Sequence, residues 1–131
     1  MPGAWQTAAM DVAKLARGQA VNRVLMGAGL VLAPRIFARP WVGRYASRET
    51  SVVLARSLGV RDAALGAAGL LALAREDSAW LSRAFAAMAV ADAVDFVAII
   101  AGDVPASAKV LGGTMAAGSA AVAAEYARRV A

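Results

Sequence analysis

Long apolar stretches alternate with short charged segments along this chain. Residues 63–74 (AALGAAGLLALA) and 110–124 (VLGGTMAAGSAAVAA) carry no charged side chain, and between residues 84 and 102 the only charges are Asp92 and Asp95. A helix on the surface of a soluble protein has a polar stripe along its outer face. These stretches have no such stripe, so they are predicted to be helices that lie in lipid or inside protein.

The pattern predicts four helices, over residues of about 5–33, 51–74, 79–101 and 106–127. Pro34 ends the first helix because proline cannot donate a backbone hydrogen bond. Each helix is near the roughly 20 residues needed to cross a hydrocarbon core. We therefore expect an all-α fold in which residues 1–131 form a single domain. It would be a four-helix transmembrane bundle with an amphipathic N-terminal turn and a basic interfacial connector.

Composition and aromatic positions favour a membrane location. The chain is 60% hydrophobic and only 18% charged, below the roughly 25% charged residues of a typical soluble domain. Large aromatic residues fall at or outside the ends of the apolar stretches, as is typical of membrane interfaces; these are Trp5, Trp41, Tyr45, Trp80 and Tyr126. We expect a multi-pass protein of the cytoplasmic (inner) membrane, in contact with membrane lipid.

The missing residue types exclude several function classes. The chain has no Cys and no His, which excludes disulfides, thiolate nucleophiles, histidine metal ligands and Ser-His-Asp triads. Asp92 and Asp95 alone fall short of an aspartate-rich magnesium motif, so we expect no metal and no cofactor. The net charge of +5 comes from arginines spread over the connectors. Attraction to anionic lipid head groups explains them, and nucleic acid is not an expected partner.

Five charged residues fall inside the predicted spans: Arg56, Arg61, Asp62, Asp92 and Asp95. An ionised side chain at the centre of a span costs about 2.5–3.5 kcal/mol on insertion scales, so such residues face the interior and find partners. We expect them to gather between the second and third helices. Two arginines against three aspartates leave a net charge of −1, so one carboxylate would be unpaired or protonated.

This cluster has two main interpretations. In the first, Asp62, Asp92, Asp95 and Arg61 are catalytic residues that act by metal-free acid–base chemistry on a lipophilic small molecule. The reaction would be an isomerisation, a cyclisation or the hydration of an epoxide. The predicted substrate-binding residues around them are Arg56, Asn22, Phe85, Met88 and Ile99.

In the second interpretation the chain is not an enzyme, and the cluster only specifies which helix packs on which. The protein would then be a membrane subunit or a homo-oligomer, held in part by small-residue helix faces. A path for protons or ions through the cluster is a third alternative. Asn22 and Arg23 could join the cluster or mark the membrane interface, and the interface is favoured for Arg23 because its long side chain can reach out of the apolar region.

One segment also resembles a known family. Residues 56–71 read RSLGVRDAALGAAGLL, and this segment resembles the R-x-L-G-x-R-D-x-x-L-G pattern of small four-helix integral membrane proteins of actinobacterial type, grouped as a domain of unknown function. The distinctive positions are Arg56, Gly59, Arg61, Asp62 and Gly66. The resemblance implies a membrane bundle and supplies no reaction.

Overall fold

The computed structural model describes the backbone of residues 4–131 and the side chains from residue 11 onward. These residues are 92% helical and include no strand, which confirms the all-α class. The four long helices are α1 (Ala4–Leu32), α4 (Glu49–Arg75), α5 (Ser78–Ala101) and α6 (Ala106–Val130). The basic connector folds into α2 (Pro34–Phe37), α3 (Arg39–Val42) and a 3₁₀ turn (Gly43–Ser47).

Short breaks separate the long helices. Pro34 opens α2 and cannot extend α1, because it has no backbone N–H to donate to the preceding turn. At the end of α4, Glu76 adopts a left-handed conformation with φ of 53°. Asp77 then caps α5, since its side chain accepts a hydrogen bond from the Trp80 backbone N–H at 2.9 Å. This tight turn makes α4 and α5 a helical hairpin.

Helices α1 and α4 pack along each other with their backbones in direct contact. A Cβ atom added to Gly27 would lie 2.5 Å from the carbonyl oxygen of Gly59, and one added to Gly59 would lie 2.6 Å from the oxygen of Gly27. A Cβ on Gly66 would lie 2.6 Å from the oxygen of Ala20. Glycine is therefore required at three points of this contact, which we call the glycine seam.

Helices α5 and α6 pack through large side chains instead. Phe85 and Met88 are fully buried, and the ring of Phe85 meets that of Tyr126 edge-on, with centroids 4.8 Å apart. The ring of Tyr126 is buried in the core, and its predicted depth at a membrane interface stays a prediction. Trp41 of the connector packs on Gly112 of α6. Trp5 lies outside the described side chains.

Two of the long helices, α4 and α5, are long and apolar enough to cross a membrane, judged by length and composition only. In each of these helices, 22% of the most apolar 18-residue segment is buried inside the chain. Many large apolar side chains of these two helices are instead exposed; they include Val53, Leu54, Val60, Leu71, Val90, Val94 and Val97. The outer surface of the α4–α5 hairpin is thus largely apolar.

Candidate functional site

Five charged side chains from three helices form one alternating chain of ion pairs. Arg23 comes from α1, Arg61 and Asp62 from α4, and Asp92 and Asp95 from α5. The order of contacts is Asp92–Arg23–Asp62–Arg61–Asp95. We call this set the ion-pair network. Asp62 is the central residue of the 27-residue helix α4, so the network lies midway along the hairpin.

The inner part of the network is buried. The Arg23 guanidinium donates from Nη1 to Asp62 Oδ1 at 2.9 Å and from Nη2 to Asp92 Oδ1. Arg23 and Asp92 are only 5% and 6% exposed. The glycine seam brings the backbone of α1 against α4, and this close approach allows one guanidinium to reach carboxylates on both α4 and α5.

The outer part of the network lies at the surface. Arg61 and Asp95 form a bidentate pair, with Nη1 to Oδ1 at 2.9 Å and Nη2 to Oδ2 at 2.6 Å. Arg61 Nη2 also donates to Asp62 Oδ1 at 3.2 Å, which joins the outer pair to the inner one. The Arg61 and Asp95 side chains are 34% and 29% exposed.

Charge and hydrogen bonding are not balanced within the network. Its two arginines and three aspartates sum to a net charge of −1 when all are ionised. Asp92 Oδ2, Arg23 Nε and Arg61 Nε are buried without a hydrogen-bond partner among the described residues. An unsatisfied buried polar group costs about 1–3 kcal/mol. The network therefore has unused capacity both to accept and to donate a hydrogen bond, as acid–base chemistry or ligand binding would require.

The structure corrects the predicted cluster at two positions, Arg56 and Arg23. Arg56 lies outside it, because it precedes Arg61 by five residues and so points about 140° away around the helix. Its Nε donates to the carbonyl oxygen of Val31 at 3.3 Å. Asn22 lies on the exposed side of α1. Its neighbour Arg23, predicted at the interface, is instead the central cation.

A signal for Arg23 exists in the sequence, one helical turn earlier. Gln19 precedes Arg23 by four residues, so the two share a face of α1. The structure uses this face: Gln19 Nε2 donates to the backbone oxygen and the hydroxyl of Ser119 on α6, at 2.9 and 2.6 Å. Two polar residues at this spacing in an apolar helix indicate an inward polar stripe, whereas a single arginine does not.

The predicted apolar substrate contacts fill the interior. Phe85 packs on Tyr126, and the end of the Met88 side chain lies against Gly69. Ile99 packs on Gly112 of α6. Two surface cavities occur elsewhere, one beside α2 and one between α5 and α6, and neither is lined by a residue of the network. Substrate binding by Phe85, Met88 and Ile99 stays a prediction.

Among the described residues, no group of three or more acidic side chains is arranged to hold a metal ion. Comparison of the chain with protein-family models, curated proteins and solved structures finds no match. The resemblance of residues 56–71 to a family of small membrane proteins stays a prediction.

Proposed function

We propose that the chain is a multi-pass membrane protein whose four long helices all cross the bilayer. The α4–α5 hairpin supports this proposal. An apolar core helix of a soluble protein is mostly buried, whereas only 22% of the most apolar 18-residue segment of α4 and of α5 is buried here. Helix α1 packs along α4 and α6 packs along α5, so these helices lie at the same depth as the hairpin. Alanine and glycine make α6 less apolar than α5, but its charged residues lie near its two ends and leave residues 110–124 without charge.

Within this bundle the ion-pair network stabilises the packing of α1, α4 and α5 against one another. The observation that carries the proposal is the Arg23 guanidinium, which binds Asp62 of α4 and Asp92 of α5 at once. In an apolar medium, removal of one partner from a buried ion pair is strongly destabilising. The network thus selects one arrangement of α1, α4 and α5 over others that apolar packing alone would allow.

The outer pair, Arg61 and Asp95, points to self-association. Both side chains are about one-third exposed near the middle of two candidate spans, where contact of an ionic group with lipid is costly. Exposed Val60 and Val94 lie beside them in the sequence. A second copy that packs on this α4–α5 face would shield the pair from lipid. We infer that the protein is a non-catalytic subunit that forms a homo-oligomer in the membrane.

Cysteine cross-linking tests this arrangement, because the native chain has no Cys. Ser57 and Ala98 share helix faces with Arg61 and Asp95, respectively, and both are exposed. Ser57→Cys or Ala98→Cys should give a dimer with a short bis-maleimide in membranes. Thr114→Cys, exposed on α6, is the matched control and should stay monomeric. Equal cross-linking of all three variants, or of none, would contradict the proposed interface.

The unused hydrogen-bonding capacity favours a second candidate function. Asp92 Oδ2 and the two arginine Nε groups would suit the polar group of a lipophilic small molecule that enters from lipid beside Arg61 and Asp95. In this candidate the aspartates and Arg61 perform acid–base chemistry on the bound molecule. It ranks second because the network residues bind one another and line neither cavity.

A further inference from the structure

A separate cavity of about 360 Å³ lies where α1 ends and α4 begins. It is apart from the ion-pair network and has both apolar and charged walls. The lining residues are Leu32, Ala33, Pro34, Arg35, Ile36, Glu49, Val52 and Arg56. Because the cavity lies at the ends of two long helices, it would face the lipid head groups if those helices span a bilayer.

The charges in this cavity do not cancel. Arg35 Nη2 donates to Glu49 Oε1 at 2.9 Å, which pairs one cation with the one carboxylate of the lining. Arg56 has no carboxylate partner among the described residues, and its Nε is held by the carbonyl oxygen of Val31. Its two Nη groups have no hydrogen-bond acceptor in the same part of the chain. The cavity therefore carries one uncompensated positive charge.

Depth and surroundings distinguish Arg56 from an ordinary surface arginine. It lies seven residues after Glu49, which is about 10 Å along the helix axis. A guanidinium at that depth can extend toward the interface on its long apolar stem. Leu32 and Ile36 beside it are 82% and 71% exposed. A cation is thus bordered by large apolar side chains that no part of the described chain covers.

We propose that this cavity binds one anionic phospholipid, with the phosphodiester at Arg56 and the acyl chains against Leu32 and Ile36. Such a lipid has a net charge of −1, which matches the charge of the cavity, whereas a zwitterionic lipid carries a cation next to its phosphodiester. A guanidinium binds phosphate through two parallel hydrogen bonds, for which the free Nη groups are suited. This inference rests on the membrane location proposed above.

Lipid retention by the detergent-purified protein tests the proposal. Native mass spectrometry would count bound lipids after addition of phosphatidylglycerol or phosphatidylcholine. The wild type should retain one phosphatidylglycerol in preference to phosphatidylcholine. Arg56→Gln should lower that retention about tenfold, through loss of charge-assisted hydrogen bonds. Arg44→Gln is the matched control: Arg44 is an exposed connector arginine that contacts Tyr45, and retention should be unchanged.

A charge series separates lipid binding from the contact of Arg56 with Val31. Arg35→Gln removes one cation, so the cavity becomes neutral and retention should fall. The double variant Arg35→Gln/Glu49→Gln restores the charge of +1, and retention should return. No such recovery is expected if Arg56 only stabilises the end of α1, and its absence would overturn the proposal even if Arg56→Gln fails to fold.

Further outcomes distinguish an error in the lipid site from an error in the membrane location. If inorganic phosphate displaces phosphatidylglycerol at equal concentration, the cavity binds a free anion and the lipid assignment is wrong. If the protein stays in the membrane pellet after a carbonate wash but retains both lipids equally, the lipid site is wrong and the membrane location stands. Release by carbonate would overturn the membrane location itself.

Discussion

The two long helix pairs of this bundle are packed by different means. Along α1 and α4 the backbones touch, and glycine is required at Gly27, Gly59 and Gly66 because a Cβ there would lie within 2.6 Å of a carbonyl oxygen. Along α5 and α6 the contact is made by side chains such as Phe85, Tyr126 and Ile99. The first contact cannot adjust without movement of a helix, whereas the second can adjust by changes of rotamer.

This difference explains where the ion-pair network can form. The glycine seam fixes α1 against α4, so Arg23 and Asp62 meet at a defined distance of 2.9 Å. Arg23 then binds Asp92 on α5, and Arg61 binds Asp95 on α5. The network thus ties the rigid helix pair to the adaptable one. Disruption of the seam and disruption of the network should therefore have separable effects.

Loss of the central cation should have the largest effect. Arg23→Gln leaves Asp62 and Asp92 without their shared partner, and breaking a buried ion pair costs about 3–5 kcal/mol. We expect a loss of this size in the free energy of unfolding, measured by denaturant titration in mild detergent without added phospholipid. Arg56→Gln removes an arginine outside the network and should cost far less. Equal losses in the two variants would show that the network does not hold the helices together.

A methyl group in the glycine seam should have the next largest effect. Gly59→Ala would put a Cβ 2.6 Å from the Gly27 carbonyl oxygen and 2.8 Å from Leu30 Cβ, and overpacking of this kind costs about 1–3 kcal/mol. Gly113→Ala on α6 is the control, because its nearest neighbour is the flexible end of Ile100 at 3.2 Å. Thermal unfolding in detergent should show a clear decrease for Gly59→Ala only. A greater loss of thermal stability for Gly113→Ala would mean that the α5–α6 contact, and not the α1–α4 contact, is the less adaptable one.

Neutralisation of Asp92, the buried carboxylate at one end of the network, should have a smaller effect on stability. Asn at position 92 retains an oxygen that can accept from Arg23, and the substitution changes the network charge from −1 to zero. We expect Asp92→Asn to lose about 0.5–1.5 kcal/mol of stability. Asp62→Asn should lose more, since Asp62 accepts from both Arg23 and Arg61. A greater loss for Asp92→Asn in the same titration would mean that Asp92 carries more of the network than its contacts indicate.

The smallest expected effect is a gain in stability from Gly118→Ala. A Cβ on Gly118 of α6 would meet nothing within 4 Å, and glycine inside a helix is about 0.5–1 kcal/mol less favourable than alanine. Gly118→Ala should therefore raise the unfolding temperature slightly in dilute detergent solution. A decrease would indicate that another molecule packs against this glycine and has no space for the methyl group.

The helices were predictable because their signals are local. Charge-free stretches and the proline at position 34 predicted four long helices, and residues 4–131 form four, although α4 starts at Glu49 and α6 continues to Val130. Asp62, Asp92, Asp95 and Arg61 were predicted to cluster, and the structure brings them together. Charged residues in apolar helices find partners, and this rule predicted these four correctly but wrongly added Arg56.

The identity of the central cation was not predictable from single positions. Whether Arg23 or Arg56 faces inward depends on the rotation of α1 and α4 about their axes, which the glycine seam sets. The burial of Tyr126 also depends on helix rotation. Its place near the end of an apolar stretch predicts an interface position, whereas the contact of its ring with Phe85 depends on the rotation of α6.

The most direct test of the account is native mass spectrometry of the protein extracted from membranes in mild detergent. We predict an oligomer of identical chains without a bound small molecule at the network, and dissociation to monomers for Arg61→Gln. A monomer with a bound lipophilic molecule that Asp92→Asn removes would contradict the assembly role and support the ligand-binding candidate. Recovery of the protein from the soluble fraction without detergent would contradict the membrane location on which the account rests.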